Sequence, residues 1–278
     1  MITGARLAAD FRRLGVEAGQ TLLVHASMRN VGRVAGGAST VVAALRDVLG
    51  PMGTLVVPAF TTGNSDTSKV FRNATRGMSP TETSAFRSLM PAFDARTTPS
   101  EGMGIIAETV RLTPGSVRSA HPQTSYAAIG ARAADLMKGH APDCHHGERS
   151  PLARLYEVGA HVMLLGVGFD RCTAFHLAEY RYLFPHTPTR VYRCVVNDGY
   201  GRKWWEFSDA VLDDSEFAQV GADFRQTGAT REERTGQAHT VFFPLSTAVD
   251  HAVRWLRERR VPKSSELVRQ DSVGVPFL

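Results

Sequence analysis

Two short apolar runs, Thr21-Leu-Leu-Val-His-Ala26 and Thr54-Leu-Val-Val-Pro-Ala-Phe60, flank a segment of helical periodicity, Thr40–Leu49. Both runs read as buried strands. Strand, helix and strand within about 40 residues form a β-α-β unit, and parallel strands so joined cross over right-handed. Such a unit constrains the chain to an α/β architecture whose sheet is covered by helices. Ser39 is the expected N-cap of the helix, and Gly50-Pro-Met-Gly53 its stop.

The remaining pattern extends this reading. Residues 4–17 carry an Ala/Leu/Phe face, and Ser27–Ala38 reads as a loop containing Gly32, Gly36 and Gly37. Residues 61–101 are rich in Thr, Ser, Asn and Arg with little periodicity, which is too long for a plain connector and reads as a functional or disordered loop. Helices are expected at Gly104–Leu112 and Ala131–Gly139, with a strand at Ser125–Ile129 and a polar His/Cys loop over 140–149. Ser150-Pro151 opens a helix through Glu157, and His161–Val167 is a further strand. Arg190–Val196 and Lys203–Phe207 alternate around Asn197-Asp-Gly-Tyr-Gly201, a hairpin signal. Ser215–Gln226 and Thr247–Arg260 look helical, with a strand-and-turn region between them, while Lys263–Leu278 carries weak signals. The expectation is one α/β domain over residues 1–278, with a β-hairpin-containing C-terminal part.

Composition narrows the function classes. At 43% apolar residues the chain can bury a substantial core. It has no run of about 18 apolar residues, so no spanning helix and no membrane partner are expected. The first residues lack the apolar core of a secretory signal, and three cysteines at no motif spacing suit a reducing compartment, so a cytoplasmic location is expected. The net charge of +5 favours anionic partners in general. The basic residues are dispersed without interleaved aromatics, so no nucleic acid is expected.

Several constellations carry chemistry. In Leu164-Leu-Gly-Val-Gly-Phe-Asp-Arg-Cys-Thr-Ala-Phe-His176-Leu-Ala-Glu179, a strand ends at a glycine turn and a helix follows. His176 and Glu179 share a helical face there, either as a base with a tuning carboxylate or as a solvent-facing pair. With Thr173 as N-cap, the helix dipole disfavours the imidazolium while Glu179 favours it. The glycine loop Ser27–Ser39, with Arg29 and Arg33, either cradles phosphate or is an ordinary turn. His121 before Pro122 is a substrate-site or a structural histidine. His140-Ala-Pro-Asp-Cys144-His145-His146 superficially suggests a metal, but no second ligand pair is evident, so a polar surface loop and no metal are expected. Asp66, Glu148, Asp170, Glu179, Asp209 and Asp213 read as solvated carboxylates unless the fold gathers them around one cleft, where they would recognise a cation.

Together these segments resemble the aminoglycoside 3-N-acetyltransferase family. The resemblance rests on Val24-His-Ala-Ser-Met-Arg-Asn-Val-Gly32 with Gly36-Gly37, Gly50–Pro58, Phe93–Ser100, Met103-Gly104, Arg118–Pro122, Gly147–Tyr156 and Leu164–Glu179, in family order over about residues 5–260. Asp170-Arg-Cys-Thr173 stands where the family often has Asp-Ser-Asn-Thr. The resemblance implies a three-layer α/β/α fold with a central mixed sheet. It implies acetyl transfer from acetyl-CoA to an amine, typically the 3-amino group of 2-deoxystreptamine in an aminoglycoside, and hence antibiotic resistance. It makes His176 the base and Glu179 its partner or a contact to the aminoglycoside. Ser27, Met28, Arg33, Val34, Gly36, Gly37, Ser100 and Ser150 become the expected CoA contacts, and Asp66, Asp170, Glu179 and Asp209 the acceptor contacts. Direct transfer is expected rather than an acyl-enzyme, with Thr173 or loop N–H groups facing the oxyanion. Transfer to a different amine, CoA binding without turnover, and a metallohydrolase built on His140–His146 are the alternatives. Monomer and homodimer are both open.

Overall fold

After α1 (Gly4–Leu14), the expected unit appears as β1 (Thr21–Ala26), the single turn α2 (Met28–Val31), α3 (Gly37–Leu49) and β2 (Thr54–Pro58). β1 and β2 pair in parallel, with Leu22 opposite Leu55. The chain continues through α4 (Lys69–Ala74), α5 (Pro80–Leu89), α6 (Gly104–Leu112), β3 (Val117–Arg118), β4 (Tyr126–Gly130), α7 (Ala133–Met137), α8 (Pro151–Glu157) and β5 (His161–Leu165). A 3-10 turn at Phe169–Arg171 leads to α9 (Ala174–Arg181). Then come β6 (Thr189–Asn197), β7 (Arg202–Ala210), α10 (Phe217–Arg225), β8 (Arg231–Thr235), β9 (Ala238–Pro244) and α11 (Leu245–Arg259). The computed structural model describes residues 1–260; the weak signals at Lys263–Leu278 lie outside the described residues.

Seven strands form one mixed sheet in the order β3-β4-β2-β1-β5-β9-β8. The central trio β2-β1-β5 is parallel, and the flanking pairings are antiparallel. Side chains alternate strictly across it, as the two-residue period of a strand requires. Leu23, Val56, Val162, Leu164 and Phe243 pack beneath α7–α11. Leu22, Val24, Leu55, Val57, Met163 and Phe242 pack beneath α1, α3 and α6. Each fully buried Leu or Phe contributes roughly 1.5–3 kcal/mol, so two dry faces favour this layered arrangement strongly. The expected α/β class with a mixed central sheet is observed.

Three local expectations are corrected. α3 starts at Gly37 behind the N-cap Gly36, whose φ of 77° needs glycine, so Ser39 lies inside the first turn. The loop Ser27–Ala38 contains α2. The stretch 61–101 contains α4 and α5, and α5 buries no side chain, so it carries no apolar period. Its start is a reciprocal capping box between Ser79 and Glu82 with Pro80 at the first turn.

The expected hairpin is β6–β7, a separate two-stranded sheet pairing Tyr192 with Phe207 and Cys194 with Trp205. It is tied to the 61–101 segment by the Val195 N–H donating to Asn64 O at 2.8 Å and by the Asp66–Arg193 ion pair. It also covers part of the loop 140–149, whose histidines are buried while Pro142, Glu148 and Arg149 stay at the surface. His140, His145 and His146 are each less than 5% exposed, with His145 packed on Tyr192 and Phe207.

Candidate active site

From β1 the chain enters α3 on one face of the sheet, while from β5 it enters α9 on the other. The carboxyl ends of these adjacent parallel strands mark a switch point, where a crevice opens. The cleft there measures about 760 Å³ and is bounded by Ser27-Met28-Arg29 after β1, Phe60 after β2, Met103-Gly104 before α6, and Val167 and Asp170–Thr173 after β5. The glycine turn is locally required. Gly166 has φ 69°, a Cβ there would lie 2.7 Å from Asn30 Cβ, and Asn30 Nδ2 donates to Gly166 O at 2.6 Å.

His176 is in the first turn of α9 and faces this cleft with 14% of its side chain exposed. Its Nδ1 lies 2.6 Å from Glu179 Oε2. Glu179 is only 1% exposed, so it is no surface carboxylate. Its Oε1 accepts from the Asp213 N–H at 2.9 Å and from Arg260 Nη1 at 2.5 Å. Arg260 is itself held by Glu216 at 2.6 Å. Opposite a carboxylate, Nδ1 carries the ring proton, so Nε2 keeps its lone pair for the cleft. The His176 ring is clamped between His146, stacked at 4.8 Å and 8°, and the edge of Phe217 at 4.8 Å.

Three further groups flank His176. His25, at the end of β1, is driven down to about 3 by burial. His146 is held well below the usual histidine range, by burial first and by neighbouring histidines second. Both rings are therefore neutral near pH 7. Cys172 is fully buried, and burial pushes its thiol up to about 12. Thr173 occupies the cap position of α9, but its side chain makes no capping bond. Its hydroxyl lies 3.3 Å from His25 Nε2 instead.

The other expected site residues are scattered. Ser27, Met28 and Asp170 line the cleft, with Asp170 paired to Arg171 at 3.1 Å. Arg33, Val34, Gly36 and Gly37 lie farther along the same loop, and Val34 bridges to Ile2. Ser100 donates to Glu108 Oε2 at 2.6 Å, beside the Gly102–Ile105 wall. Ser150 caps α8 from a buried position. Asp66 is buried against Arg87 and Arg193. Asp209 Oδ2 accepts from the His145 N–H at 2.7 Å and from Tyr180 Oη at 2.7 Å. Thus Asp66 and Asp209 each serve an internal network. His121 is fully buried, and its Nδ1 accepts from the Gln123 and Thr124 N–H groups. Among the described residues, no group of three His, Cys, Asp or Glu is arranged to hold a metal ion. No helix among them is long and apolar enough to cross a membrane. Sequence reasoning missed His25, hidden in an apolar strand, and Arg260, which reaches Glu179 from the end of a distant helix.

Comparison with known proteins now bears on this geometry. A family model described as aminoglycoside 3-N-acetyltransferase matches residues 23–257. The SPbeta prophage-derived aminoglycoside N(3')-acetyltransferase-like protein YokD of Bacillus subtilis (strain 168) is 34% identical over 91% of this chain and 92% of its own. Aminoglycoside N(3)-acetyltransferase VII of Streptomyces paromomycinus is 36% identical over 93% of this chain and 92% of its own. Among solved structures, AAC-IIIb in a binary complex with CoASH superposes with a TM-score of 0.81 at 31% identity, covering 92% of this chain and 97% of that one. AAC-VIa bound to sisomicin superposes with a TM-score of 0.79 at 27% identity, covering 92% and 98%.

Proposed function

This chain belongs to the aminoglycoside 3-N-acetyltransferase family, and we propose that it transfers acetyl from acetyl-CoA directly to the 3-amino group of a 2-deoxystreptamine aminoglycoside, with His176 as general base. The observation that carries this is the Nδ1–Oε2 bond of 2.6 Å, on a Glu179 whose other oxygen is already occupied. It leaves one basic lone pair, Nε2, in the cleft.

The amine attacks as the neutral base, since an ammonium has no lone pair. As the C–N bond forms, the carbonyl π pair moves to oxygen and His176 Nε2 takes the amine proton. Glu179, with Arg260 behind it, orients the ring and offsets the imidazolium charge. The oxygen pair then returns to carbon, the C–S bond breaks with its pair on sulfur, and the imidazolium returns a proton to the departing thiolate. Holding both substrates in one cleft supplies the proximity contribution, up to roughly 7–11 kcal/mol. The thiol of Cys172, buried and raised to about 12, supports direct transfer over an acyl-cysteine. Ser27, Met28, Arg29 and Arg171 line the cleft, and the two guanidinium groups would meet the anionic groups of CoA.

A second reading, the same transfer to a less cationic amine, is favoured by one observation. Of the four carboxylates assigned to the acceptor, only Asp170 lines the cleft. Incubating the protein with acetyl-CoA and a panel of kanamycin, gentamicin, apramycin and simple diamines decides between them. Mass spectrometry and NMR locating acetyl on N3 of the aminoglycosides supports the first reading. Acetylation of the diamines alone overturns it.

A further inference from the structure

Three imidazoles, His25, His146 and His176, line the cleft, and the mechanism above uses one of them. The other two, His25 and His146, each meet a buried hydroxyl. His25 Nε2 lies 3.3 Å from Thr173 Oγ1, and Tyr126 Oη lies 2.9 Å from His146 Nδ1. The buried Tyr126 phenol has His146 Nδ1 as its one hydrogen-bond partner among the described residues. The single proton of the phenol is then directed at His146 Nδ1. Burial keeps that phenol protonated across the physiological range. An imidazole that accepts at Nδ1 carries its proton at Nε2. His146 therefore has the opposite tautomer to His176, on a ring stacked 4.8 Å away and nearly parallel.

We propose that His146 is the oxyanion donor of this site: its Nε2–H holds the thioester carbonyl oxygen during acetyl transfer, and Tyr126 is the positioning residue that fixes its tautomer. The proposal rests on the acetyl-transfer reading above. In the step, the π pair moves onto the carbonyl oxygen as the amine adds and returns when the C–S bond breaks. His146 keeps its proton throughout and forms only a hydrogen bond. A neutral imidazole suits this role, because an electrophile that does not surrender its proton leaves the oxyanion free to collapse. The cleft thus sets a lone pair and an N–H side by side, one for the amine proton and one for the carbonyl oxygen. A single stack of two rings supplies both because their Nδ1 partners differ, a carboxylate for His176 and a phenol for His146.

The test compares wild type with His146→Phe, His146→Gln and Tyr126→Phe, using acetyl-CoA and an amine that the wild type acetylates. His146→Phe keeps an aromatic ring on His176 but loses the donor, so kcat falls about 10²-fold while KM for acetyl-CoA changes less than about threefold. His146→Gln offers an amide donor and recovers about tenfold of that loss. Tyr126→Phe releases the tautomer and lowers kcat about tenfold. Independently of turnover, ¹⁵N NMR of the ligand-free protein shows the His146 proton on Nε2 in the wild type and on both nitrogens in Tyr126→Phe. If His146→Phe does not fold, as thermal melting reports, Tyr126→Phe with its single missing oxygen carries the kinetic test. His146→Phe within about threefold of wild-type kcat, or a wild-type proton on Nδ1, overturns the donor role. Wild-type protein that acetylates no amine overturns the activity itself, a failure distinct from an active enzyme indifferent to His146.

Discussion

Replacing Glu179 with Gln should damage the enzyme more than replacing it with Ala. The reason lies in the two sides of the carboxylate. Oε1 accepts from two donors, the Asp213 N–H at 2.9 Å and Arg260 Nη1 at 2.5 Å. A glutamine must therefore place its amide oxygen there, because an NH₂ group would face two N–H groups. Its NH₂ then points at His176 Nδ1 and donates to it, which moves the ring proton to Nε2. The lone pair leaves the cleft, and the base is lost without any change of shape. Fixing a catalytic imidazole in the wrong tautomer costs about 10⁴-fold in a serine protease, and about 10³–10⁴-fold is expected here, or about 4–5.5 kcal/mol of barrier. In Glu179→Ala neither tautomer is enforced, and the loss is about 10²-fold. The Gln variant keeps its contacts to Asp213 and Arg260, so its stability falls by only about 1–2 kcal/mol. The assay is thiol release at saturating acetyl-CoA, with melting curves for all three proteins. A Gln variant as active as the Ala variant, or more so, refutes the tautomer argument.

Further outcomes follow from other parts of the molecule. His25 and His140 are neutral in the fold down to about pH 3 and about pH 4, whereas unfolded histidine takes its proton near 6.5. The folded values lie below the unfolded one, so stability is complete above pH 6.5 and is lost on acidification, at roughly 1.4 kcal/mol per pH unit for each ring. Urea midpoints measured from pH 7 to pH 4 should fall accordingly, and a flat profile contradicts the burial argument. Asp66→Ala strands Arg193 and Arg87, which are partly exposed, and should cost about 2–3 kcal/mol by denaturant titration, loosening the hairpin β6–β7. Gly221→Ala places a methyl group inside the Phe169 ring. A loss of about 1–3 kcal/mol, read as a lower melting point, is expected despite the better helix propensity of Ala, and an unchanged melting point means that the Phe169 ring yields freely.

What the sequence made legible follows from range. The strands β1, β2 and β5 and the hairpin β6–β7 were readable because their patterns are local, and so was the His176–Glu179 pair, three residues apart on one helix. α5 escaped because its stability is in its caps at Ser79, Pro80 and Glu82 and not in an apolar period. The loop 140–149 looked like surface because its histidines are polar. The hairpin packs over His145, and Phe60, Tyr126 and His121 enclose His146 and His140. Arg260 and Asp213 reach Glu179 from 81 and 34 residues away, and no spacing rule connects them. Asp66 and Asp209 were legible as carboxylates and not as occupied ones, because their partners Arg193 and His145 are as distant in sequence. The family pattern supplied what periodicity cannot, the grouping of Val24–Gly32, Met103-Gly104 and Leu164–Glu179 at one cleft.

The most direct test of the central claim, that His176 Nε2 takes the amine proton, is the kcat of His176→Ala with acetyl-CoA and an aminoglycoside acceptor, in protein whose melting curve and CoA affinity match the wild type. The account predicts a fall of about 10²–10⁴-fold. A variant that transfers acetyl at near the wild-type rate contradicts it.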